Sequence, residues 1–276
     1  LHGLNAALVW RVLRRLAVPG AWLAALLFAV HPVNVETAAW VTQLKSLLAM
    51  GFYLGALFCF LRFEDDGGRR WYGASVVLFL VAMLSKPSVV MMPVVLLLAA
   101  WWRRSRITRT DVLCSVPFFA VSGLLSLTEI WFQYNRSIQE VVVRDDGFLS
   151  RLAGSGWVIW FYLSKVLVPW NLMFVYPRWE IRPEAPLHWL PLAALAGALV
   201  FVWAKRHGWG RPVLFAFGYF ALTLAPVLGF LNIFYMRYSF VADHWQYQSM
   251  VGIVALVAGS ATHIANTRRP GRPAVL

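Results

Sequence analysis

Long apolar runs alternate with short polar and basic stretches along the whole chain. Ten such runs can be recognised, at about residues 4–16, 21–38, 44–62, 71–85, 88–102, 111–131, 157–170, 188–204, 212–231 and 248–264. Crossing a bilayer core of about 30 Å takes about 20 apolar residues in a helix. Backbone groups in lipid must be paired internally, which favours helices. The pattern therefore predicts an all-α, polytopic transmembrane helical bundle of about 9–10 membrane segments, forming a single integral membrane domain over residues 1–276.

The number of crossings depends on the segment at 157–170, which carries Lys165 and many Trp and Tyr side chains. If it crosses, two late basic clusters fall on the side opposite to the early ones, against the positive-inside rule. If it re-enters or lies along the interface, as aromatic belts favour, all clusters share one side. We favour this nine-crossing arrangement. The basic clusters are Arg11/Arg14/Arg15, Arg103/Arg104/Arg106/Arg109, Lys205/Arg206/Arg211 and Arg268/Arg269/Arg272.

Composition supports a membrane protein and excludes several other classes. Of the 276 residues, 60% are hydrophobic and 13% charged, too few charges for a soluble domain of this length. The net charge of +13 resembles that of nucleic-acid-binding proteins, but the basic residues cluster in short loops between apolar runs. We therefore predict no nucleic-acid partner. Cys59 and Cys114 lie in apolar segments without a spacing partner, so neither a disulfide nor a metal site is implied.

A polar stretch from His31 to Trp40, followed by Lys45, lies where one apolar run ends and the next begins. Ionisable residues at a membrane are costly, so they suggest a function. Glu36 could orient or deprotonate a hydroxyl nucleophile. The alternative is structural, with His31 capping a helix and Glu36 paired with Lys45. A metal held by His31 and Glu36 alone lacks the usual third protein ligand, and we predict none.

Cations accompany this stretch at other segment ends. Lys86 lies at the tip of a short hairpin and suits a phosphate group, although a lysine there could also extend to lipid headgroups. Arg237 is a candidate for substrate binding or the ion-pair partner of Asp243. Lys165 likewise is a candidate either for substrate binding or for a structural contact. Carboxylates and cations at helix ends favour an enzyme that uses a lipid-phosphate donor. A transporter fits less well because polar residues are sparse at mid-membrane, where transporter sites lie.

Several blocks of the sequence together resemble a known family. His31-Pro32-Val33-x-x-Glu36-x-x-x-Trp40 followed by Lys45 is similar to the outer-loop signature of TPR-containing GT-C glycosyltransferase-like proteins, bacterial relatives of the transmembrane and tetratricopeptide-repeat O-mannosyltransferases. Further blocks follow in the family order: Ser85-Lys86, Trp160-Phe161-Tyr162-Leu163-x-Lys165, Pro169-x-Asn171-Leu172, Tyr176-Pro177-Arg178-Trp179 and Arg237-Tyr-Ser-Phe-Val-Ala-Asp243-His244-x-Gln-Tyr247.

The resemblance implies a GT-C helical fold that transfers a sugar from a polyprenyl-phosphate donor to a protein or glycan acceptor, with inversion, on the extracytoplasmic face of a bacterial inner membrane. It places the catalytic aspartate upstream of Leu1 and the repeats after the last span, so we expect a fragment. Relatives tend to have Glu-Arg where this chain has Gln43-Leu44, which puts the activity of this copy in question. A repeat domain outside the cell would also place the C-terminus outside, against the nine-crossing arrangement.

The candidate site residues follow from these blocks. Lys86, Arg237 and Lys165 are the candidates for the donor phosphate. His31, Glu36, Asp243 and His244 are expected to shape the sugar and acceptor pocket. The other expected pocket residues are Trp40, Lys45, Tyr162, Asn171, Tyr176, Arg178 and Tyr247. No cofactor is predicted, and a divalent metal stays open without a ligand set to support it. The alternatives are a non-catalytic membrane anchor for a repeat domain and a lipid-linked sugar transporter or flippase.

Overall fold

The computed structural model describes residues 1–138 and 142–268. Within these ranges the chain forms eleven α-helices and no strand, which confirms the predicted all-α architecture. The helices are α1 His2–Arg15, α2 Ala21–Val30, α3 Val35–Ala39, α4 Leu44–Asp66, α5 Arg69–Ser85, α6 Met92–Arg104, α7 Arg109–Phe132, α8 Phe148–Leu167, α9 Leu190–Ala204, α10 Gly210–Leu224 and α11 Met250–Thr267.

Five helical stretches in the described residues are long and apolar enough to cross a membrane. They are Val41–Asp66, Arg109–Arg136, Pro186–Ala204, Gly210–Val227 and Met250–Thr267. A sixth candidate is the pair Ala21–Val30 and Pro32–Ala39, which is bent by 54°. The continuous run predicted over 21–38 is therefore broken, because Pro32 has no backbone N–H to donate and disfavours helical geometry at His31.

One end of the bundle is rich in arginine–carboxylate pairs, and we call it the basic end. Glu64 lies 3.0 Å from Arg103 and 2.9 Å from Arg104, while Asp65 lies 2.6 Å from Arg15. Arg104 also reaches Asp111 at 2.5 Å. The C-terminal ends of α1, α4 and α6 and the start of α7 therefore meet here. The helix α4 continues through three acidic residues, Glu64, Asp65 and Asp66, before it ends.

Helices from the second half of the chain reach the same end. Arg211, at the start of α10, donates to the carbonyl of Trp101 at 3.3 Å. Gly20 has a φ of +69°, and an added Cβ there would lie 2.8 Å from the Ala258 carbonyl oxygen. Only glycine fits so close to another helix in this conformation. The start of α2 therefore packs against the C-terminal half of α11.

The opposite end, which we call the site end, gathers the other helix termini. His2 Nε2 lies 3.0 Å from the carbonyl of Ala29, and Asn5 donates to the carbonyl of Leu47 at 3.0 Å. These contacts join the starts of α1 and α4 to the end of α2. The broken stretch from His31 to Lys45 therefore lies at the site end.

Both ends of α8 also lie at the site end. Near its C-terminus, the Val166 carbonyl is 2.9 Å from His31 Nε2. Near its N-terminus, Arg151 donates to Asn232, beyond the end of α10, at 2.9 Å. Its middle contacts the start of α9, where Trp160 donates to the Pro191 carbonyl at 2.9 Å.

The helix α8 therefore lies across the site end, and nine other helices of the described chain run between the two ends. These are α1, α2, α4 to α7, and α9 to α11. Only five or six of the described stretches are long and apolar enough to span a membrane, so the number of crossings stays a prediction. This packing has the layout of the favoured nine-crossing arrangement, although α8 begins nine residues earlier than the predicted segment. It also places Lys205 and Arg211 at the same end as the arginines of α1.

Candidate functional site

A cavity of about 780 Å³ opens at the site end. This volume is in the range of small-molecule sites, about 300–1,000 Å³. Five residues predicted from the sequence line it: Trp40, Lys45, Lys86, His244 and Tyr247. Residues more than 200 positions apart therefore contribute to one cavity.

Lys86 is the best-anchored cation in this cavity. It follows the last residue of α5, in an extended conformation set by Pro87. Its Nζ donates to Ser46 Oγ at 2.7 Å, and Ser46 in turn donates to Gln43 Oε1 at 2.5 Å. The chain of hydrogen bonds holds the ammonium group inside the bundle. The alternative of a lysine extended to lipid headgroups does not match this position.

The surroundings of Lys86 favour an anion. Burial is the main cause that lowers the Lys86 pKa to about 8; the like charge of Lys45 adds to it and the Glu36 carboxylate opposes it. The first turn of α4 and the segment before α6 also line the cavity. Helix N-termini carry a partial positive charge and unpaired N–H groups. A bound phosphate would relieve the repulsion between the two lysines and raise the pKa of Lys86.

Glu36 and His244 form a pair beside the lysines. His244 Nδ1 lies 2.8 Å from Glu36 Oε1, and the His244 backbone N–H donates to Glu36 Oε2 at 3.2 Å. The side chain of His244 is only 6% exposed and that of Glu36 only 11%. Glu36 therefore pairs with His244, and not with Lys45 as the structural alternative proposed.

Aromatic rings hold the imidazole of His244 in place. Tyr235, Trp245 and Trp40 contact it edge-on, with ring centroids 5.7, 5.9 and 6.1 Å away. Burial lowers the His244 pKa below its usual value, and the hydrogen bond to Glu36 opposes that shift. At neutral pH the imidazole is therefore mainly uncharged.

Asp243 lies behind this pair and does not line the cavity in the described structure. Tyr176 donates to its carboxylate, with both oxygens 3.0 Å from the hydroxyl. The preceding residue, Ala242, donates its N–H to Tyr162 on α8 at 3.0 Å. Two tyrosines therefore fix the segment that carries Asp243 and His244. The ion pair considered between Asp243 and Arg237 is not formed among the described residues.

The carboxyl of Asp243 should limit stability at neutral pH. Its side chain is buried, which raises its pKa to about 6, with Glu36 adding to the shift and Tyr176 opposing it. Stability is then greatest below the unfolded pKa of about 3.9 and falls by about 3 kcal/mol as pH rises through 6. Asp243→Asn, which can still accept from Tyr176, should raise the melting temperature at pH 8 but not at pH 4. Asp145→Asn, at an exposed site, is the control, and equal shifts at both pH values would contradict this prediction.

Lys165 supports Asp243 from a distance. Its Nζ donates to the carbonyls of Trp170 at 2.5 Å and Asn171 at 3.1 Å, and it lies 5.3 Å from the centre of the Tyr176 ring. Asn171 has a φ of +50°, a left-handed conformation that asparagine tolerates. In the described structure Lys165 lies in the last turn of α8, holds the turn that follows it and is outside the cavity.

The remaining predicted residues lie around this core. His31 Nδ1 accepts from the Val33 N–H at 3.3 Å, so it caps the turn after α2 and links α2 to α8 through Nε2. Arg178 donates to the Arg237 carbonyl at 3.4 Å. Arg237 is exposed and does not line the described cavity. Among the described residues, no group of three His, Cys, Asp or Glu has the geometry of a metal site.

Several cavity residues were not predicted. Ser46 and Gln43 hold Lys86, and Tyr235 packs on His244 and donates to the Phe174 carbonyl at 2.9 Å. Glu129 and Gln133, at the end of α7, are hydrogen bonded at 3.0 Å and also line the cavity. Of these residues, only Glu129 could have been found from the sequence, because it is an acidic residue at the end of an apolar run.

Comparison with known proteins bears on the first part of this site. Residues 1–131 match the family model described as dolichyl-phosphate-mannose-protein mannosyltransferase. The match includes Glu36, Lys45 and Lys86, whereas Tyr176, Asp243 and His244 lie beyond it. No curated protein and no solved structure matches the chain. Over residues 1–131, the chain is therefore similar to a family of membrane glycosyltransferases of the GT-C type.

Proposed function

We propose that this chain is a membrane glycosyltransferase domain that transfers a sugar from a polyprenyl-phosphate donor to a hydroxyl group of a protein or glycan. The observation that carries the proposal is the cavity of about 780 Å³ with Lys86 and Lys45 in its wall. A lipid-linked sugar phosphate has one anionic group next to its reacting carbon. Two lysines suit that charge.

The cations have a role in the chemistry as well as in binding. When the acceptor oxygen attacks the anomeric carbon, the bond from that carbon to the phosphate oxygen breaks and negative charge builds on the leaving phosphate. An ammonium group held in place beside that oxygen stabilises the transition state more than the ground state. Because Lys86 is fixed by Ser46, it needs little reorganisation to do this. Attack from the opposite face inverts the configuration at the carbon.

The setting of the enzyme follows from the same proposal. The positive-inside rule favours an orientation with the basic end in the cytoplasm, and the cavity then opens on the extracytoplasmic face. A bacterial inner membrane would fit this arrangement, whereas extracytoplasmic tetratricopeptide repeats after α11 would not, because that helix ends at the basic end. A flippase would need one polar path through the bundle. The site-end cavity and a second, mostly apolar cavity of about 600 Å³ nearer the basic end share no lining residue.

A transfer assay tests the proposal. Purified full-length protein is incubated with radiolabelled dolichyl-phosphate mannose or other polyprenyl-phosphate sugars and a threonine-rich peptide or a glycan acceptor. We expect release of polyprenyl phosphate that depends on the acceptor and gives a product of inverted configuration. Binding of these lipids without turnover would favour the scaffold alternative and contradict the proposed activity.

A further inference from the structure

We infer that the apolar cavity nearer the basic end is a binding site for an anionic phospholipid, with one acyl chain inside the helix bundle and the phosphate at the arginines beside the opening. The inference does not depend on the proposed transferase function. It rests on the position of the cavity, the apolar character of its wall and the unbalanced positive charge around its opening.

This cavity lies between helices from both halves of the chain and is separate from the site-end cavity. Residues of α1, α4, α6, α10 and α11 line it. At its inner end the wall is formed by Leu54 on α4 and Tyr219 on α10. Met50 and Thr223, about one helical turn closer to the site end, line the other cavity instead. A ligand bound here is therefore distinct from the donor proposed at Lys86.

The cavity opens between the start of α10 and the end of α11. These helices touch at Gly252, where an added Cβ would clash with the Ala216 carbonyl oxygen. Closer to the basic end, Pro212 on α10 and Ser260 and His263 on α11 all line the cavity, and all three are exposed. The opening therefore faces the surroundings of the bundle, and a hydrocarbon chain of the adjacent leaflet can enter through it.

The size and wall of the cavity exclude other classes of occupant. A helix of 20 residues is about 30 Å long and at least about 10 Å wide, so it fills about 2,400 Å³. The cavity of about 600 Å³ holds only something thinner. Polar ligands are disfavoured because the wall is mostly apolar, and a buried polar group without a partner is costly. A single hydrocarbon chain meets both conditions.

The positive charge at this side of the basic end has no acidic counterpart. On the opposite side, arginines pair with Glu64, Asp65 and Asp111. The segments that supply α9, α10 and α11, residues 185–242 and 244–276, contain neither Asp nor Glu. Basic pockets between membrane helices are typical binding sites for anionic lipid headgroups. The charge beside the opening therefore favours an anionic phospholipid over a neutral one.

Arg211 is the cation best placed to hold the phosphate. Its guanidinium carbon lies 5.5 Å from the centre of the Trp102 ring, which lines the cavity. Arg211 donates to the carbonyls of Trp101 and Trp102, but the described residues supply no carboxylate for it and no acceptor for its buried Nε. A phosphate oxygen would pair both the charge and this donor. Arg206, whose hydrogen bond is to Trp203 in its own turn, is the second candidate.

Lipid binding to the purified full-length protein, measured by native mass spectrometry, tests the inference. The two probes are dioleoyl phosphatidylglycerol, which is anionic, and dioleoyl phosphatidylcholine, which has the same chains but no net charge. We expect one site that prefers the anionic lipid by at least about tenfold, because each Lys or Arg near the phosphate contributes about fivefold. Higher salt should reduce this preference.

A pair of variants on α11 tests whether the lipid enters the cavity. Ser260→Trp places a large ring in the opening and should weaken phosphatidylglycerol binding by at least about tenfold, since the chain must leave the cavity. Val257→Trp is the matched control, because Val257 is 43% exposed on the same helix and does not line the cavity. This control should bind both lipids as the wild-type protein does.

Charge variants test the headgroup position. Arg211→Gln and Arg206→Gln should each lower the affinity for phosphatidylglycerol by about fivefold and leave phosphatidylcholine unchanged. Arg211 also holds the end of α6, so Arg206→Gln, with contacts only in its own turn, decides the matter if Arg211→Gln does not fold. Arg69→Gln, an exposed cation at the start of α5, is the control and should have no effect.

Three outcomes would overturn the inference. The first is equal affinity of the wild-type protein for the two lipids. The second is unchanged phosphatidylglycerol binding in a folded Ser260→Trp variant. The third is a Ser260→Trp variant that loses binding of dolichyl phosphate but keeps that of phosphatidylglycerol, which would assign the cavity to the isoprenoid chain of the donor. None of these results depends on sugar transfer, so the transfer assay can fail while this inference stands.

Discussion

Lys86→Met is expected to reduce sugar transfer by at least about 100-fold, which corresponds to about 2.7 kcal/mol of lost transition-state stabilisation. Methionine keeps most of the length and apolar surface of lysine but removes the positive charge. Lys86 is held by Ser46 at 2.7 Å inside the cavity, and its loss leaves Lys45 as the other cation that the proposal assigns to the phosphate. Removing one partner of a desolvated, charge-assisted contact costs about 2–5 kcal/mol. The measurements are kcat and KM with a polyprenyl-phosphate sugar, together with the dissociation constant of dolichyl phosphate.

Two further variants make this result interpretable. Lys205→Met removes an exposed cation at the basic end and should leave turnover unchanged. Lys86→Arg keeps the charge and should retain more activity than Lys86→Met, although its larger head group must displace Ser46. Normal turnover of a folded, correctly inserted Lys86→Met variant would exclude the phosphate role.

Cysteines introduced at Asp145 and Glu184 are expected to react with a membrane-impermeant maleimide from one and the same side of the membrane. These exposed positions lie before α8 and before α9, and both ends of α8 contact the site end. A cysteine at His207, on the turn before α10, should react only from the other side. The native Cys59 and Cys114, both free thiols, are replaced by serine in this background. The readout is labelling of intact cells or oriented vesicles before and after permeabilisation.

This labelling experiment also decides how the late basic clusters are oriented. If α8 crossed the membrane, Asp145 and Glu184 would be labelled from opposite sides, and the nine-crossing arrangement would be wrong. The C-terminal end of α11 would then lie on the side expected of extracytoplasmic repeats. The packing of Gly20 against Ala258 and Thr262 places that end at the basic end instead.

The helices could be predicted because each apolar run carries its own signal. A run such as 188–204 is hydrophobic on all sides, and the corresponding helix α9 is mostly exposed on its surface, as expected for contact with lipid. The breaks were harder to predict. Pro32 indicates a local interruption, but the 54° bend also goes with tertiary contacts, since His31 reaches the end of α8 and α3 packs against the segment before α11.

The sequence indicated several of the polar residues at the site, but it did not indicate which residues contact each other there. His31, Glu36 and Lys86 stand out as costly polar residues at apolar segment ends, yet only Lys86 lines the cavity, and Glu36 contacts it through His244. The partner of Glu36 is His244, 208 positions away, and the partner of Lys86 is Ser46, 40 positions away. Such contacts depend on the tertiary arrangement, and a serine in an apolar helix gives no signal of its own. Gln43 has a comparable role, since its side-chain oxygen accepts from Ser46 at 2.5 Å.

The most direct test of the account is a structure of the full-length protein bound to a polyprenyl-phosphate sugar in a lipid nanodisc. We predict the phosphate within hydrogen-bond distance of Lys86 Nζ, about 2.7–3.2 Å, and the anomeric carbon on the side of the cavity that carries His244. A phosphate bound at the basic end, or a sugar placed away from both Lys86 and the Glu36–His244 pair, would contradict it.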